Sequence, residues 1–503
     1  MQNHWSHGYY VTTAYTGGFY AEQTPVSMAW ATLAAGSRPP AHDGAFTYLE
    51  LGCGFGETAL AVATAHPKCR VIAIDLNPEH IAAVRDRAAE LGLHNVEVYD
   101  KAFAELTHLD LQADFVALHG VISWVDDSVR QDIVNLLDRT VAAGGLVYVS
   151  YNAMPGRAAA VALQRMIVDR LEHETGTPLQ RLEKALGWVE RAAAVSHFFK
   201  GHTNVVNYLA QTRKRPMAYL AHEFINSAWD PLFFKEVEDL FRGARLSFVG
   251  GADVVRSVSS LAIPKSMRPI LDAISDKSHR ESTRDMLMDT GFRRDLFGRG
   301  RRRLAPGAQR RTVLDTRFCL AKARKDCSLD IRVPAGEIRL HEDPYEALLN
   351  ALEDGPRTGR SMLGAVHEDA EQIFIGLLVL TAVGHILPAL DAEDNADRTA
   401  GIRDVNRRSL GLIDEDAIRL ISPVTGLAHR LSRFEALVAR GLWDEVEDLP
   451  RWAAYQLAGS GQELIMDDMP VVDPEEVVPE FTRLAERFKQ NRLPELRRAG
   501  IMA

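Results

Sequence analysis

Short β-branched runs alternate with segments of helical period between residues 46 and 150. FTYLELG, CRVIAID, VEVYD, DFVALHG and GLVYVSYN read as strands. Between them TALAVATAH, PEHIAAVRDRAAELGL and SVRQDIVNLLDRTVAAGG place apolar residues at helical spacing. The second of these has Pro78 near its start, Ile81, Val84, Ala88 and Leu91 on one face, and Gly92 as its stop. Strands alternating with helices of this length predict βαβ units, and so an α/β domain with a parallel sheet covered on both faces. Ligands of such sheets bind beyond the carboxyl ends of the strands.

After Pro155-Gly156 the pattern turns helical, with AAAVALQRMIVDRLEHETG and LQRLEKALGWVERAAAVSHFF rich in alanine and leucine. A mixed segment runs to about 325, DIRVPAGEIRLHEDPYEALLNALE opens a third region, and a mostly helical, acidic part follows residue 400. IFIGLLVLTAVGHILPAL, 373–390, is nearly long enough to span a bilayer. Thr381, Gly384, His385 and Pro388 interrupt it and no basic flank anchors it, so it reads as a buried helix ending at Gly384 and then a short strand. No membrane span is expected.

Composition narrows the class. At 503 residues the chain is too long for one ordinary core, and 46% apolar with 25% charged residues is the balance of a soluble globular protein. A net charge of −10 argues against a general nucleic-acid binder, whose affinity rests on neutralising phosphates. The charge is uneven: residues 293–311 hold eight arginines and 444–480 hold eleven acids. These runs read as solvated surface, as partners of one another, or as a docking site for an acidic partner. Cys53, Cys69, Cys319 and Cys327 form no CxxC pair, so neither a metal site nor a disulfide framework is expected. With no signal-peptide pattern in MQNHWSHGYY, a reducing cytoplasm is the expected compartment.

The chemistry is concentrated in TYLELGCGFGETAL. Gly52, Gly54 and Gly56 follow a strand and precede a helix, where glycines let backbone N–H groups approach a ligand at the helix's positive end. A dinucleotide fingerprint needs a glycine at position 57, which is Glu57. Glu50 would repel a pyrophosphate but suits a ligand carrying an ammonium and a sulfonium. Asp75 ends the second strand, where a carboxylate can take both ribose hydroxyls. Asp100 ends the third, and Ala102 and Phe103 after it offer an adenine pocket. Together these point to S-adenosylmethionine (SAM), released as S-adenosylhomocysteine. The alternative is an α/β domain whose glycines hold no nucleotide.

With ELGCGFG and the acidic end of strand two, the sequence resembles the class I SAM-dependent methyltransferases, whose fold is Rossmann-like. HGVISWV (119–125) and SYNAMPG (150–156) are similar to paired motifs of the bacterial protein lysine methyltransferases that carry a methyltransferase regulatory domain. Known members of that group act on lysines of outer-membrane proteins. AYTGGFYAEQTP (14–25) resembles the group's aromatic N-terminal segment, without its usual histidine before proline. The stretch 219–253, with His222-Glu223, resembles the core of the regulatory domain, whereas SYNAMPG departs by ending in Arg157. The resemblance covers about 14–255 and thins over 290–400, where a winged-helix-like module usually follows. It implies an aromatic N-terminal lid (1–45), a SAM-binding Rossmann-like domain (46–157), a regulatory domain (158–325), a winged-helix-like module (326–400) and a mostly helical C-terminal region (401–503).

The implied activity is N-methylation of protein lysine by in-line transfer. Alternatives are a small-molecule, modified-peptide or glycan acceptor, and a non-catalytic docking protein. A protein or peptide partner is expected, and nucleic acid is not. His119, Trp124, Tyr151 and Asn152 stand at the exits of strands four and five as candidates to position the acceptor. Trp124 can equally staple the following helix, and His119 can contact cofactor or backbone rather than act as a base. Tyr20, with Tyr9, Tyr10, Tyr15 and Phe19, is a candidate lid over the sulfonium, or ordinary packing. Cys53 and Leu76 complete the expected cofactor set of Tyr20, Glu50, Gly52, Gly54, Gly56, Asp75, Asp100, Ala102, Phe103 and His119. His222-Glu223 is not HExxH, because position 226 is Asn226, and reads as structural. If Asp75 holds the ribose, Asp75→Ala weakens SAM binding at least about tenfold, roughly 1.4 kcal/mol. Unchanged calorimetric affinity would remove that assignment.

Overall fold

Val71, Ile72, Ala73 and Ile74 are consecutive and all fully buried, which a strand achieves only with layers packed on both faces. In the computed structural model they belong to a seven-stranded sheet. The structure describes residues 17–226, 228–366, 369–391, 395–412, 417–459, 464–466, 469–471 and 473–502. Tyr9, Tyr10 and Tyr15 of the expected lid lie outside them. The strands are β1 (Thr47–Leu51), β2 (Arg70–Asp75), β3 (Val96–Asp100), β4 (Ala113–His119), β5 (Val141–Asn152), β6 (Leu246–Gly251) and β7 (Phe292–Arg299). Their order is β3-β2-β1-β4-β5-β7-β6. Pairings from β3 through β5 are parallel, and β7 runs antiparallel to both β5 and β6.

Side chains alternate across each strand. Leu49, Leu51, Val147 and Val149 enter one core, together with Ile133, Leu136 and Leu137 of α4 (Asp127–Thr140). Tyr48, Phe115 and Tyr148 enter the other. There they meet α1 (Pro25–Ala34), α2 (Glu57–Ala65) and α3 (Pro78–Leu91). The α3 helix begins where the Asn77 side chain accepts from Glu79 N–H and ends at left-handed Gly92, with Ile81, Val84, Ala88 and Leu91 buried.

The sheet draws its last two strands from 246–299, so it extends beyond the 46–157 stretch. Between β5 and β6 the chain forms α5 (Ala158–Leu171), α6 (Pro178–Val195), α7 (His197–Gly201), α8 (Thr203–Thr212) and α9 (Met217–Ile225). They share a core of their own built on Leu163, Leu182, Leu186, Leu209 and Phe224. The next helix, α10 (Phe234–Arg242), returns to the sheet through Val237 and Phe241. Further on, β8 (Arg317–Leu320) is the centre of a three-stranded antiparallel sheet, and β9 (Asp330–Val333) pairs with β10 (Gly336–Arg339) as a hairpin. The flanking strands are β11 (Arg357–Thr358) and β12 (Ile386–Pro388). The strand at 317–320 therefore packs with elements on the far side of residue 326. The apolar segment near 380 is the helix Ala370–Ala382, followed by left-handed Gly384 and β12. Among the described residues no helix is long and apolar enough to cross a membrane. The C-terminal region carries the antiparallel pair β13 (Ala417–Ile421) and β14 (Ala428–Ser432) and packs Ile402 and Ile421 against Ala61 and Ala65 of α2.

The arginine run does not form one surface, nor, among the described residues, does it pair with the acidic run at 444–480. Its ion-pair partners among the described residues are Glu22, Asp138, Glu281, Asp285, Asp295 and Glu371. The side chain of Arg293 is completely buried. It donates to Asp295 Oδ2 at 2.7 Å, Asp285 Oδ2 at 2.5 Å and Glu281 Oε2 at 2.9 Å. Burial raises the Glu281 carboxyl, but Arg256, Arg293 and Arg284 outweigh it and hold it at about 2. Removing one member of a buried ion cluster leaves the others uncompensated. Arg293→Met is expected to destabilise the sheet by about 3–5 kcal/mol, read as a lowered urea midpoint; an unshifted midpoint would mean the cluster contributes nothing net.

Candidate active site

Beyond Leu51 the loop is held against the end of β2, where Gly52 and Cys53 N–H both donate to Ile74 O, at 2.8 and 2.9 Å. Gly54 has a left-handed φ of 54°, and a Cβ there would meet nothing within 4 Å, so the loop presents bare backbone to open space. Gly56, φ 68°, starts α2, and a Cβ there would come within 2.7 Å of Val84 Cγ2. Only glycine satisfies both positions without strain.

Around this loop lies a cavity of about 690 Å³, within the usual range of ligand pockets. Tyr20, Glu50, Gly52, Cys53, Gly54, Asp75, Leu76, Ala102, Phe103 and His119 all line it. Gly56 and Asp100 do not. Gly56 is turned toward α3, and Asp100, though paired in register with Asp75, is exposed while Lys101 takes the cavity side. Asp75 accepts from Gly54 N–H at 2.8 Å, Asn77 N–H at 2.9 Å and His80 Nδ1 at 3.1 Å. A carboxylate has about four acceptor sites, so one remains rather than the pair expected for both ribose hydroxyls. Glu50 is 5% exposed, and its Oε2 has no hydrogen-bond partner. Burial, with Glu57 and Asp75 nearby, pushes its carboxyl up to about 8 against the hydrogen bond from the Ala59 backbone.

At the exit of β4, the Tyr20 ring stacks on His119 with centroids 3.6 Å apart. His119 Nδ1 lies 3.0 Å from Tyr148 Oη. Burial, reinforced by the charge of Arg294, lowers the imidazole to about 3, so it is neutral and a poor proton acceptor. Asn152 and Trp124 also line the cavity. The Trp124 ring sits 6.1 Å from Trp229, and its carbonyl accepts from Asn226 Nδ2 at 3.3 Å. Tyr151 does not line the cavity. Alternation along β5 turns it to the opposite face, where it is fully buried and donates to Asp295 Oδ2 at 2.8 Å. That hydrogen bond makes it part of the Arg293 cluster instead of an acceptor contact.

The far wall comes from α9. Tyr219, His222 and Glu223 line the cavity, so the His-Glu pair read as structural reaches it. Glu223 accepts hydrogen bonds from Tyr208 and Tyr219, and burial raises its carboxyl despite them. Arg157 lies 4.7 Å over the Tyr208 ring and donates to Gly291 O at 3.2 Å. Arg294 closes the side next to His119.

Comparisons with known proteins fit this geometry. A family model described as "Methyltransferase domain" matches residues 49–145, and one described as "Predicted methyltransferase regulatory domain" matches 216–299. An uncharacterised protein of Synechocystis is 30% identical over 508 residues, covering 99% of each chain. The chain belongs to the SAM-dependent methyltransferases that carry a methyltransferase regulatory domain. Among solved structures, PKMT2 from Rickettsia typhi has a TM-score of 0.67 at 16% identity, covering 94% of this chain and 99% of that one. The same protein in complex with AdoHcy has a TM-score of 0.70 at 15% identity, covering 97% and 99%. Those likenesses show a shared fold.

The methyltransferase's residues fit its cofactor. Glu50 Oε2 is a buried acceptor for an ammonium, Gly54 leaves space for close backbone approach, Asp75 keeps one acceptor site, and Ala102, Phe103 and Leu76 offer apolar walls. The regulatory match includes α9 and both antiparallel strands, so it supplies the far wall as well as the sheet's edge. Tyr219, Glu223 and Arg294 carried no sequence signal as cavity residues beyond the His-Glu pair itself, because nothing local aims α9 at the strand exits. At pH 6.5 an unliganded Glu50 carboxyl titrating near 8 holds its proton, and an α-amine of pKa about 7.7–8.0 is charged. Pairing the two releases up to about one proton, measured by calorimetry in buffers of differing ionisation enthalpy. Glu50→Gln is expected to abolish that release and weaken binding; release retained in the variant would locate the ammonium elsewhere.

Proposed function

We propose that this methyltransferase modifies the side-chain amine of lysine in a protein or peptide, and that it works in the cytoplasm. The observation that carries the reading is the aromatic and acidic lining beyond the strand exits: Trp124, Tyr219 and a half-buried Glu223 carboxyl held by two tyrosines. The likeness in fold to PKMT2 agrees with it, and four cysteines without disulfides suit a reducing compartment.

When bound, SAM supplies a methyl group on a positively charged sulfur. The chain's part is to hold the cofactor's polar ends, exclude water and present a neutral amine in line. Lysine's reference pKa is about 10.4, and His119, held neutral, cannot draw that proton off. Desolvation between Trp124, Tyr219 and the Tyr20–His119 stack lowers an amine's pKa, and Glu223 offers a place to leave the proton. Tyr20 and His119 together give the sulfonium an aromatic face. Asn152, whose backbone N–H donates to Ser123 Oγ at 2.9 Å, is fixed firmly enough to orient the acceptor.

Arg157, Arg215 and Arg294, which also line the cavity, favour a second reading, a small acceptor bearing an anionic group. Lysate incubated with labelled SAM separates the two. Label in protein, with mass increments of about 14 Da mapped to lysine, supports the first; label confined to the low-molecular-weight fraction supports the second. Trp124→Ala is expected to keep SAM affinity within about twofold while losing transfer. Loss of folding would instead make Trp124 a structural staple.

A further inference from the structure

The C-terminal region sits far from the glycine loop in sequence, yet β13 and β14 dock where α2 begins. Arg419 on β13 pairs with Glu57, the first residue of α2, at 2.6 Å. Its cross-strand partner in register is Arg430 on β14. Like charges directly opposite on a hairpin are destabilising unless anions compensate both. Glu57 compensates Arg419. Arg430, exposed on β14, forms no ion pair among the described residues, and it lines the cavity that holds Glu50 and the glycine loop. Glu57 is electrostatically coupled to Glu50 on one side and to both arginines on the other. One cavity thus holds an unpartnered carboxylate oxygen, Glu50 Oε2, and a guanidinium-bearing residue, Arg430, that shares the Glu57 field with Arg419 and has no ion pair of its own among the described residues.

A free amino acid end carries an ammonium and a carboxylate on one carbon, so a site for it needs a buried anion and a cation side by side. We propose that Arg430 binds the α-carboxylate of the cofactor while Glu50 takes its ammonium, so that the C-terminal region completes the cofactor site. The hairpin is braced for this. Arg492 donates to the Arg430 carbonyl at 2.6 Å, and Ile402 and Ile421 pack on Ala61 and Ala65 of α2. An arginine paired with a carboxylate forms charge-assisted hydrogen bonds of the strong kind. Cofactor binding and docking of the C-terminal region onto α2 are then linked, each favouring the other.

The full-length chain tests this with two ligands, SAM and decarboxylated SAM, which keeps the ammonium and sulfonium and lacks only the carboxylate. The wild type is expected to bind SAM at least about tenfold more tightly than the decarboxylated ligand. Arg430→Ala should remove that preference, leaving affinity for the decarboxylated ligand within about twofold, and Arg430→Lys should restore part of it. Where the alanine variant does not fold, Arg430→Gln reads the same ratio. A SAM affinity unchanged by the substitution, or an equal loss for both ligands, overturns the assignment. Failure of the wild type to bind either ligand would overturn the SAM reading of the whole cavity, a distinct result.

Discussion

The antiparallel pairing of β7 with β5 is the constraint on which the site depends. The chain leaves β5 at Asn152 and comes back to pair with it at Phe292, its partner in register, having added β6 to the sheet's edge on the way. Ala153 N–H donates to Gly291 O at 3.0 Å and Gly156 N–H to Thr290 O at 3.1 Å, so both ends of the 139 intervening residues are pinned together. The α5–α9 part of that excursion has a helical core of its own, and because the excursion's ends are fixed at the carboxyl edge of the sheet, α9 is delivered over the strand exits. The buried Arg293 cluster lies directly under this joint, tying β7 to the Lys277–Met288 helix and, through Tyr151, to β5. A parallel sheet alone would provide a cofactor ledge; the returning strand supplies the opposite wall.

Electrostatics divide the cavity according to burial. Near the glycine loop Glu50 is desolvated and lacks a partner at one oxygen, a state unfavourable by itself and relieved by a cationic ligand. Glu57, close by, is paired at one oxygen with Arg419 from the C-terminal region, while its other oxygen, Oε2, has no hydrogen-bond partner. At the β4 exit, burial strips the charge from His119, leaving a neutral ring stacked on Tyr20. On the α9 wall Glu223 is held by tyrosine hydroxyls, and Arg157, Arg215 and Arg294 also line the cavity. The Tyr20–His119 stack offers an aromatic face, with Arg294 as the nearby fixed cation.

The departures from sequence expectation share a cause. Tyr151 was read from the strand-five exit, but side-chain alternation decides which of two neighbours faces the ligand, and Asn152 is the one that does. Asp100 was placed by its strand end, yet the turn after β3 gives the position to Lys101. The arginine run looked like one surface; strand alternation and distant partners scatter it, burying Arg293, setting Arg294 on the cavity and sending Arg310 to Glu371. The acidic run at 444–480, one of its possible partners on the sequence alone, supplies none of those partners among the described residues.

By itself the sequence determined what depends on near neighbours. Periodicity fixes the strands and helices between 46 and 150, and glycine spacing fixes a loop that can bend in left-handed steps against a helix start. The carboxylates at positions 50 and 75 follow directly from where those strands begin and end. Only the tertiary structure decided that β6 and β7 complete the sheet, that α9 forms the far wall, and that Arg430 lines the same cavity as the glycine loop from more than 370 residues away. These rest on long-range pairing, whose partners are selected by complementary surfaces across the fold and leave no local period to read.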